Sequence, residues 1–258
     1  MMPELPEVET LCRQLKKKIC GKRIINTEIF DEKLAGIRNI KGRSVKAVER
    51  RGKTIAIELD DGDTIHIHLR MTGRLLWRKL PEAPKYSRWK MTFAGGYIFL
   101  VDPRRFATVK IMRNKKYETD REIFGDFELK RFIKLYGGRK TKIKTLIMNQ
   151  NVIKGIGNIY ACEILHRAGI HPERIVATLT KDDWAKIFRQ AKTILKKAIE
   201  KRGTSISDWR DLYGRKGENQ HELKVYGKED HTCSICGGTI CRIKQSGRGT
   251  YFCPTCQK

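Results

Sequence analysis

No stretch of the 258-residue chain is apolar over anything near the roughly 18 residues of a membrane span, so a spanning helix is not expected. The start lacks the basic-then-apolar order of a secretory signal, which points to a cytoplasmic protein. Internal repeats and low-complexity tracts are lacking as well, so ordinary globular domains are expected. Acidic residues are scarce: 29 Asp and Glu stand against 55 Lys and Arg, a net charge of +26. Cysteine is nearly absent until the end, with only Cys12, Cys20 and Cys162 before residue 233, and these read as helix-borne core fillers.

What is present fits a soluble chain that binds nucleic acid or an anionic membrane surface. A length of 258 residues allows one large domain or two moderate ones, at 40% hydrophobic and 33% charged. So large a basic excess implies a polyanionic partner. The basic residues are spread along the chain rather than gathered in a tail, which predicts a folded cationic face.

Periodicity divides the chain. Val8, Leu11, Cys12, Leu15 and Ile19 recur at helical spacing, so residues 3–20 read as a helix stopped by Gly21. Strand-like runs follow at 44–50, 54–59, 64–69, 97–101 and 108–112, with a hairpin turn at "DDGD" (60–63). Residues 22–112 are therefore expected to form an antiparallel sandwich or barrel. Beyond residue 115 the pattern turns helical: 122–138 ending at Gly137–Gly138, then "IKTLIMNQ", "IYACEILHRAG" and a long helix from Thr180 or Asp182 to Gly203.

Five of the eight cysteines lie in the last 26 residues, and four of these form Cys233-x2-Cys236 and Cys253-x2-Cys256, 16 residues apart. Without a secretion signal, two such pairs read as a four-thiolate zinc site. A closed site of this kind is structural, and in so short a segment the metal supplies much of the folding energy. Between the pairs, "RIKQSGRGTYF" reads as a hairpin with Arg248 at its tip, placed for a phosphate; the plain alternative is a solvated turn. "NVIKGIGN" reads as a glycine turn opening a helix near Asn158, a place that favours an anion, although such turns also occur as simple connections. Nearby Arg139, Lys140, Lys142, Lys144 and Lys154 strengthen the nucleic-acid reading.

The start, "MMPELPEVET", carries two prolines and three glutamates in nine residues. The plain reading is a helix start, since proline and acids suit the unpaired N–H groups and the dipole of a first turn. The sharper one is chemistry by a terminal proline and a neighbouring glutamate.

Taken jointly, "PELPEVE", "RRGK" (50–53), "HLRMTGRL" (68–75), "DPRRF" (102–106), "KGIGNIYACEILHRAGIHP" (154–172) and the terminal "CPTCQK" resemble the formamidopyrimidine-DNA glycosylase family, in the family's order and over nearly the whole chain. The resemblance implies an α+β protein: an N-terminal β-sandwich domain with a leading helix, a helix–two-turn–helix domain and a four-cysteine zinc-finger hairpin, gripping DNA between them. It implies boundaries at 1–114, a linker at 115–125, the helical domain at 126–222 with a flexible lesion-capping loop at 213–222, and the finger at 223–258. It implies removal of oxidised purines from double-stranded DNA, strand cleavage at the abasic site, one zinc ion and a monomer.

By the same resemblance Pro3 is the nucleophile, Glu4 the acid on the sugar oxygen, Glu7 a neighbour of the flipped nucleotide, and Lys53 a phosphate contact assisting proton transfer. Met71, Arg104 and Phe106 fill the gap left by the extruded base, with Arg104 facing the opposite base. Arg139, Lys144, Asn158 and Arg248 hold phosphates, Arg248 also assisting the second elimination. Cys233, Cys236, Cys253 and Cys256 hold the zinc. Tyr86 stands where family members often place a histidine on the DNA side, and the stretch "REIFGDFELKRF" lacks the usual proline-containing turn. Met1 precedes Met2, so proline chemistry requires that Met2 be the true start and be removed. The competing expectations are an endonuclease VIII-like enzyme for oxidised pyrimidines and a non-catalytic zinc-containing DNA-binding protein.

Overall fold

The computed structural model describes residues 2–113 and 117–258. Met1 and the expected boundary at 114/115 lie outside the described residues. By backbone contacts the chain forms two units: the first runs to Tyr117 and takes in residues 199–220, and the second comprises 118–198 and 221–258. Residues 199–220 thus fold with the N-terminal unit, whereas the sequence expectation assigned 126–222 to the helical domain.

In the first unit, helix α1 (Leu5–Ile19) begins with Pro6 in its first turn and ends on Lys16, Lys17 and Lys18, placing each charge sign where the helix dipole favours it. Among the described residues, eight strands form two antiparallel sheets. One joins β2 (Val45–Arg51), β3 (Thr54–Leu59), β4 (Asp63–His68) and β8 (Thr108–Arg113) in that order. The other has the order β1 (Ile24–Ile29), β6 (Ser87–Phe93), β7 (Gly96–Val101), β5 (Arg74–Arg78). Their inner faces share one core with α1: Ile55, Ile57, Ile65 and Ile67 meet Leu75, Trp89, Met91, Ile98 and Leu100, and Val8, Leu11, Leu15 and Ile19 close the cluster. Each such side chain contributes about 1.5–3 kcal/mol by leaving water. The sandwich alternative is therefore the observed one. Trp209 and Leu212 join the same core from the late segment.

In the second unit lie α2 (Leu129–Tyr136), α3 (Ile143–Met148), α4 (Asn158–Ala168) and most of α5 (Lys181–Glu200). Residues 122–128, expected to be helical, are not: Gly125 donates to the Glu122 carbonyl at 3.0 Å in a turn, and a Cβ at Gly125 would stand 2.5 Å from the Thr119 carbonyl oxygen. The chain closes with the hairpin β9 (Cys241–Gln245) and β10 (Arg248–Phe252). Its two-residue turn, Ser246–Gly247, has φ of 49° and 74°, the paired positive values that match the twist of the flanking strands.

Candidate active site and nucleic-acid interface

In the first unit the sequence candidates Pro3, Glu4, Glu7 and Lys53 are all buried. Pro3 leads directly into Glu4, which caps α1. The Glu7 carboxylate lies at 0% exposure and accepts two backbone N–H groups: Glu4 at 2.8 Å through Oε2 and Thr204 at 2.7 Å through Oε1. It therefore ties the start of the chain to a segment 197 residues away. Gly203, at φ 80°, makes this approach possible, since a Cβ there would meet Glu7 Cγ and Oε1 at 2.8 Å. Lys53 sits at the turn between β2 and β3, the strands against which α1 packs. Arg50 of β2 adds an ion pair to Glu9 of α1 at 3.2 Å.

The stretch 213–222 is closely held. Asn219 Nδ2 donates to Thr204 Oγ1 at 2.8 Å, Gly217 N to Ser205 Oγ at 2.9 Å, and Glu218 N to the Lys201 carbonyl at 2.8 Å. Arg202 pairs with Glu218 at 2.5 Å and with buried Asp211 at 3.4 Å. The loop expected to be flexible is thus stitched to the turn that also carries the Glu7 partner. Thr204, Gly203 and Asn219 carried no sequence signal as site residues; Gly203 read simply as a helix stop.

Met71 is 40% and Phe106 43% exposed, unusual for large apolar side chains beside a packed sandwich. Met71 lies in the turn from β4 to β5; Arg104 and Phe106 lie in the turn from β7 to β8, with the Arg104 guanidinium 4.6 Å from the Phe106 ring centre. Tyr86 is exposed, at φ 67°, with the Lys85 ammonium 5.1 Å from its ring centre.

Beside Met71, His68 closes β4 and accepts the Arg70 N–H through Nδ1 at 3.1 Å. Burial, with Arg70 and Lys53 nearby, pushes its pKa from 6.5 down to about 4. The unfolded chain thus binds a proton that the folded chain refuses. Stability is full above pH 6.5 and falls with acid until about pH 4. Urea unfolding is expected to show a loss of about 1–2 kcal/mol between pH 7 and pH 5, after allowance for partial exposure, and His68→Gln is expected to flatten that slope.

In the second unit, Lys144, Asn158 and the hairpin come together. Lys144 is only 2% exposed, and its ammonium donates to Asn158 Oδ1 at 2.6 Å and Thr250 Oγ1 at 2.7 Å. Asn158 Nδ2 donates to the Gly249 carbonyl at 2.9 Å. Arg248 stands exposed at the first position of β10. Lys144, Thr145, Ser246 and Arg248 line one cleft of about 230 Å³. Arg139 is not among the residues lining that cleft; it is exposed after α2, with its guanidinium 4.8 Å from the Tyr136 ring centre. The glycine turn is built by a residue the sequence did not single out: Gln150 accepts Gly155 N–H at 2.9 Å and donates to the Met148 and Ile156 carbonyls at 2.8 Å.

The Sγ atoms of Cys233, Cys236, Cys253 and Cys256 lie within 4.8 Å of one another. Two of their separations are 3.9 and 3.4 Å, against the roughly 3.8 Å edge of a tetrahedron with Zn–S bonds of about 2.3 Å. The four thiolates fit one structural zinc with no open position. His166 Nε2 lies 3.3 Å from Cys233 Sγ. With zinc bound, the thiolate could only accept, so Nε2 would carry the proton; burial, with Arg167 nearby, pushes the ring's pKa down to about 4. Glu163, buried on α4, accepts the N–H groups of Lys224, Val225 and Tyr226 at 2.9 Å and anchors the chain that enters the finger.

A buried proline near the start of the chain with adjoining carboxylates, exposed apolar and cationic tips on a β-sandwich, and a cysteine-held cationic hairpin on a helical unit define a DNA-processing protein class. Three family models match the chain: the formamidopyrimidine-DNA glycosylase N-terminal domain over residues 2–109, the formamidopyrimidine-DNA glycosylase H2TH domain over 121–209, and a zinc finger found in FPG and IleRS over 230–258. Formamidopyrimidine-DNA glycosylases of Carboxydothermus hydrogenoformans and Heliobacterium modesticaldum are 40% and 38% identical, with all of this chain and all of each relative covered. A Lactococcus lactis FPG variant in complex with Fapy-dG-containing DNA superposes with a TM-score of 0.90 at 34% identity, covering 99% of this chain and 100% of the other. The chain belongs to the formamidopyrimidine-DNA glycosylase family.

Proposed function

We propose that this protein is a base-excision DNA glycosylase that removes 8-oxoguanine and formamidopyrimidines from duplex DNA and cleaves the strand at the resulting abasic site. The observation that carries the reading is the buried Pro3–Glu4 pair, fixed at the head of α1 by Glu7. A terminal amine has a pKa near 8, so a useful fraction is neutral at cellular pH. The Pro3 nitrogen attacks the sugar C1′, and the base leaves with the bonding pair. Glu4 protonates the ring oxygen as the sugar opens. The attacking amine gives up its one N–H proton and has no second to lose, so the product is a cationic iminium; this sink lets the C2′–H bond supply the electrons that expel the 3′ phosphate and then the C4′–H bond those that expel the 5′ phosphate, each proton passing to a base. Arg248 assists the second elimination, and Lys53 neutralises phosphate charge.

A base inside a duplex is out of reach of such a nucleophile and must be extruded. Met71, Arg104 and Phe106 fill the gap, as apolar wedges do elsewhere. Arg139, Lys144, Asn158 and Arg248 hold phosphates, and Tyr86 meets the DNA side of the sandwich. The segment 213–222 covers the flipped nucleotide. In this reading residues 1–114 hold the chemistry, while 126–222 and the finger at 223–258 hold the duplex. The protein works as a monomer in the cytoplasm, on nucleoid DNA. Among the described residues no helix is long and apolar enough to cross a membrane.

The Lactococcus lactis relative has also been captured with abasic-site DNA and with DNA containing an oxidised pyrimidine. The latter favours some activity on pyrimidine lesions as a second reading. Nicking of matched 8-oxoguanine and thymine glycol duplexes tests the substrate: faster cutting at 8-oxoguanine is expected, and the reverse preference overturns the purine assignment. Borohydride reduction on lesion DNA tests the chemistry, since without a covalent adduct the enzyme reading fails.

A further inference from the structure

We infer that Asp102 and Thr72 form a brace that holds Met71 and Phe106 in one register, and that this brace is a positioning element for work on duplex DNA. The inference rests on the proposed role of Met71, Arg104 and Phe106 in filling the duplex. These three side chains come from two separate turns, and two turns that move independently cannot present one wedge. Asp102, 1% exposed, binds both. Its Oδ1 accepts the Thr72 hydroxyl at 2.5 Å and the Arg104 N–H at 3.2 Å, while its Oδ2 accepts the Phe106 and Ala107 N–H groups, both at 2.7 Å. One carboxylate thus fixes the backbone on either side of the exposed tips and reaches across to the residue after Met71.

The surroundings fix the same geometry. Gly73 packs so closely that a Cβ there would meet the Leu69 carbonyl oxygen at 2.5 Å and Ala107 Cβ at 2.8 Å, so the two turns touch directly. Buried Arg88 donates to the Ala107 carbonyl at 2.6 Å and lies 3.6 Å from the Asp102 carboxylate. Arg105, between Arg104 and Phe106, holds a φ of 55° and is secured by Asp31. A left-handed arginine persists only where its surroundings over-determine it. The carboxylate chemistry is required: both Asp102 oxygens face donors, and an amide would turn its NH2 toward one pair of them.

Thr72→Val removes only the cross-link and keeps the shape of the side chain. It is expected to lower kcat/KM about tenfold on a lesion in duplex DNA, the size of one lost hydrogen bond to a charged group. Strand cleavage at an abasic site in a single-stranded oligonucleotide needs no wedge and is expected to stay within about twofold. Thr72→Ser, which restores the hydroxyl, is expected to recover the duplex activity. Asp102→Asn is expected to show the same duplex-selective loss, larger in size. Phe106→Ala serves as the control for the wedge itself. If Thr72→Val matches the parent on both substrates while Phe106→Ala loses duplex activity, the brace is overturned and the wedge stands. An equal loss on both substrates by Thr72→Val also overturns the brace, since it marks a general defect. If Phe106→Ala keeps full duplex activity, the wedge reading falls, and the brace with it.

Discussion

Protein that retains Met2 ahead of Pro3 is expected to yield no borohydride-trapped adduct with lesion DNA, while protein beginning at Pro3 traps fully. The nitrogen of an internal proline is an amide: its lone pair is delocalised into the carbonyl and does not attack C1′. Trimming converts it to a secondary amine with a pKa near 8. Intact mass measured on the same preparation decides the comparison, and an active, trappable protein still carrying Met2 sinks the Pro3 mechanism. With Pro3 free, Glu4→Gln is expected to slow base removal by about 10²–10⁴-fold, the usual contribution of a positioned acid. The effect belongs in kcat, because Glu4 is buried at the head of α1 rather than spread along a binding surface.

Removing zinc, or replacing Cys253 by serine, is expected to unfold the terminal hairpin and weaken duplex binding roughly 10²-fold, with loss of the cationic tip's phosphate contacts. Outside its contacts with the helical unit, such as Lys144 to Thr250 and Asn158 to the Gly249 carbonyl, the hairpin has only a small apolar cluster. Its apolar cluster is Cys162, Val225, Cys233, Ile240 and Cys253, so two of the five members are themselves zinc ligands. The tail returns to the helical unit through backbone bonds, His171 N–H to the Lys258 carbonyl at 2.9 Å and Lys258 N–H to the Gly169 carbonyl at 3.0 Å. Structural zinc typically supplies about 10–16 kcal/mol to such segments. Metal content, DNA affinity and near-UV dichroism measured together check this; full affinity without zinc would overturn it.

Much of the architecture was legible because burial imposes periodicity. The leading helix, the strands at 45–51, 54–59, 63–68, 96–101 and 108–113, and the cysteine hairpin follow directly from spacing. Strand β6 was hidden because it carries buried Arg88 and Lys90, which break the apolar pattern. The structure accommodates them by pairing Arg88 with Asp31 at 2.5 Å and Lys90 with Glu28 at 2.6 Å. Strands β1 and β5 were missed for a related reason: most of their residues are only half-buried. The start of α2 was misread because Phe124 and Phe127 fit a helical spacing that the Gly125 turn overrides. At the candidate site, the residue types at the start of the chain suggest the chemistry that borohydride trapping tests. The clamp on Glu7 is not suggested in this way, since a backbone N–H at Thr204 leaves no trace in side-chain identity.

That clamp has a consequence for biosynthesis. The first unit is spelled mostly by residues up to 117, yet it includes 199–220, and Trp209 and Leu212 belong to its core. A chain leaving the ribosome N-terminus first holds α1 and both sheets long before it holds Thr204. The Glu7 carboxylate must wait, without its second donor, while the helices through α5 are translated. Assembly of the setting around the head of α1 is therefore gated by elongation, and a nascent chain truncated before residue 199 cannot give Glu7 its Thr204 partner.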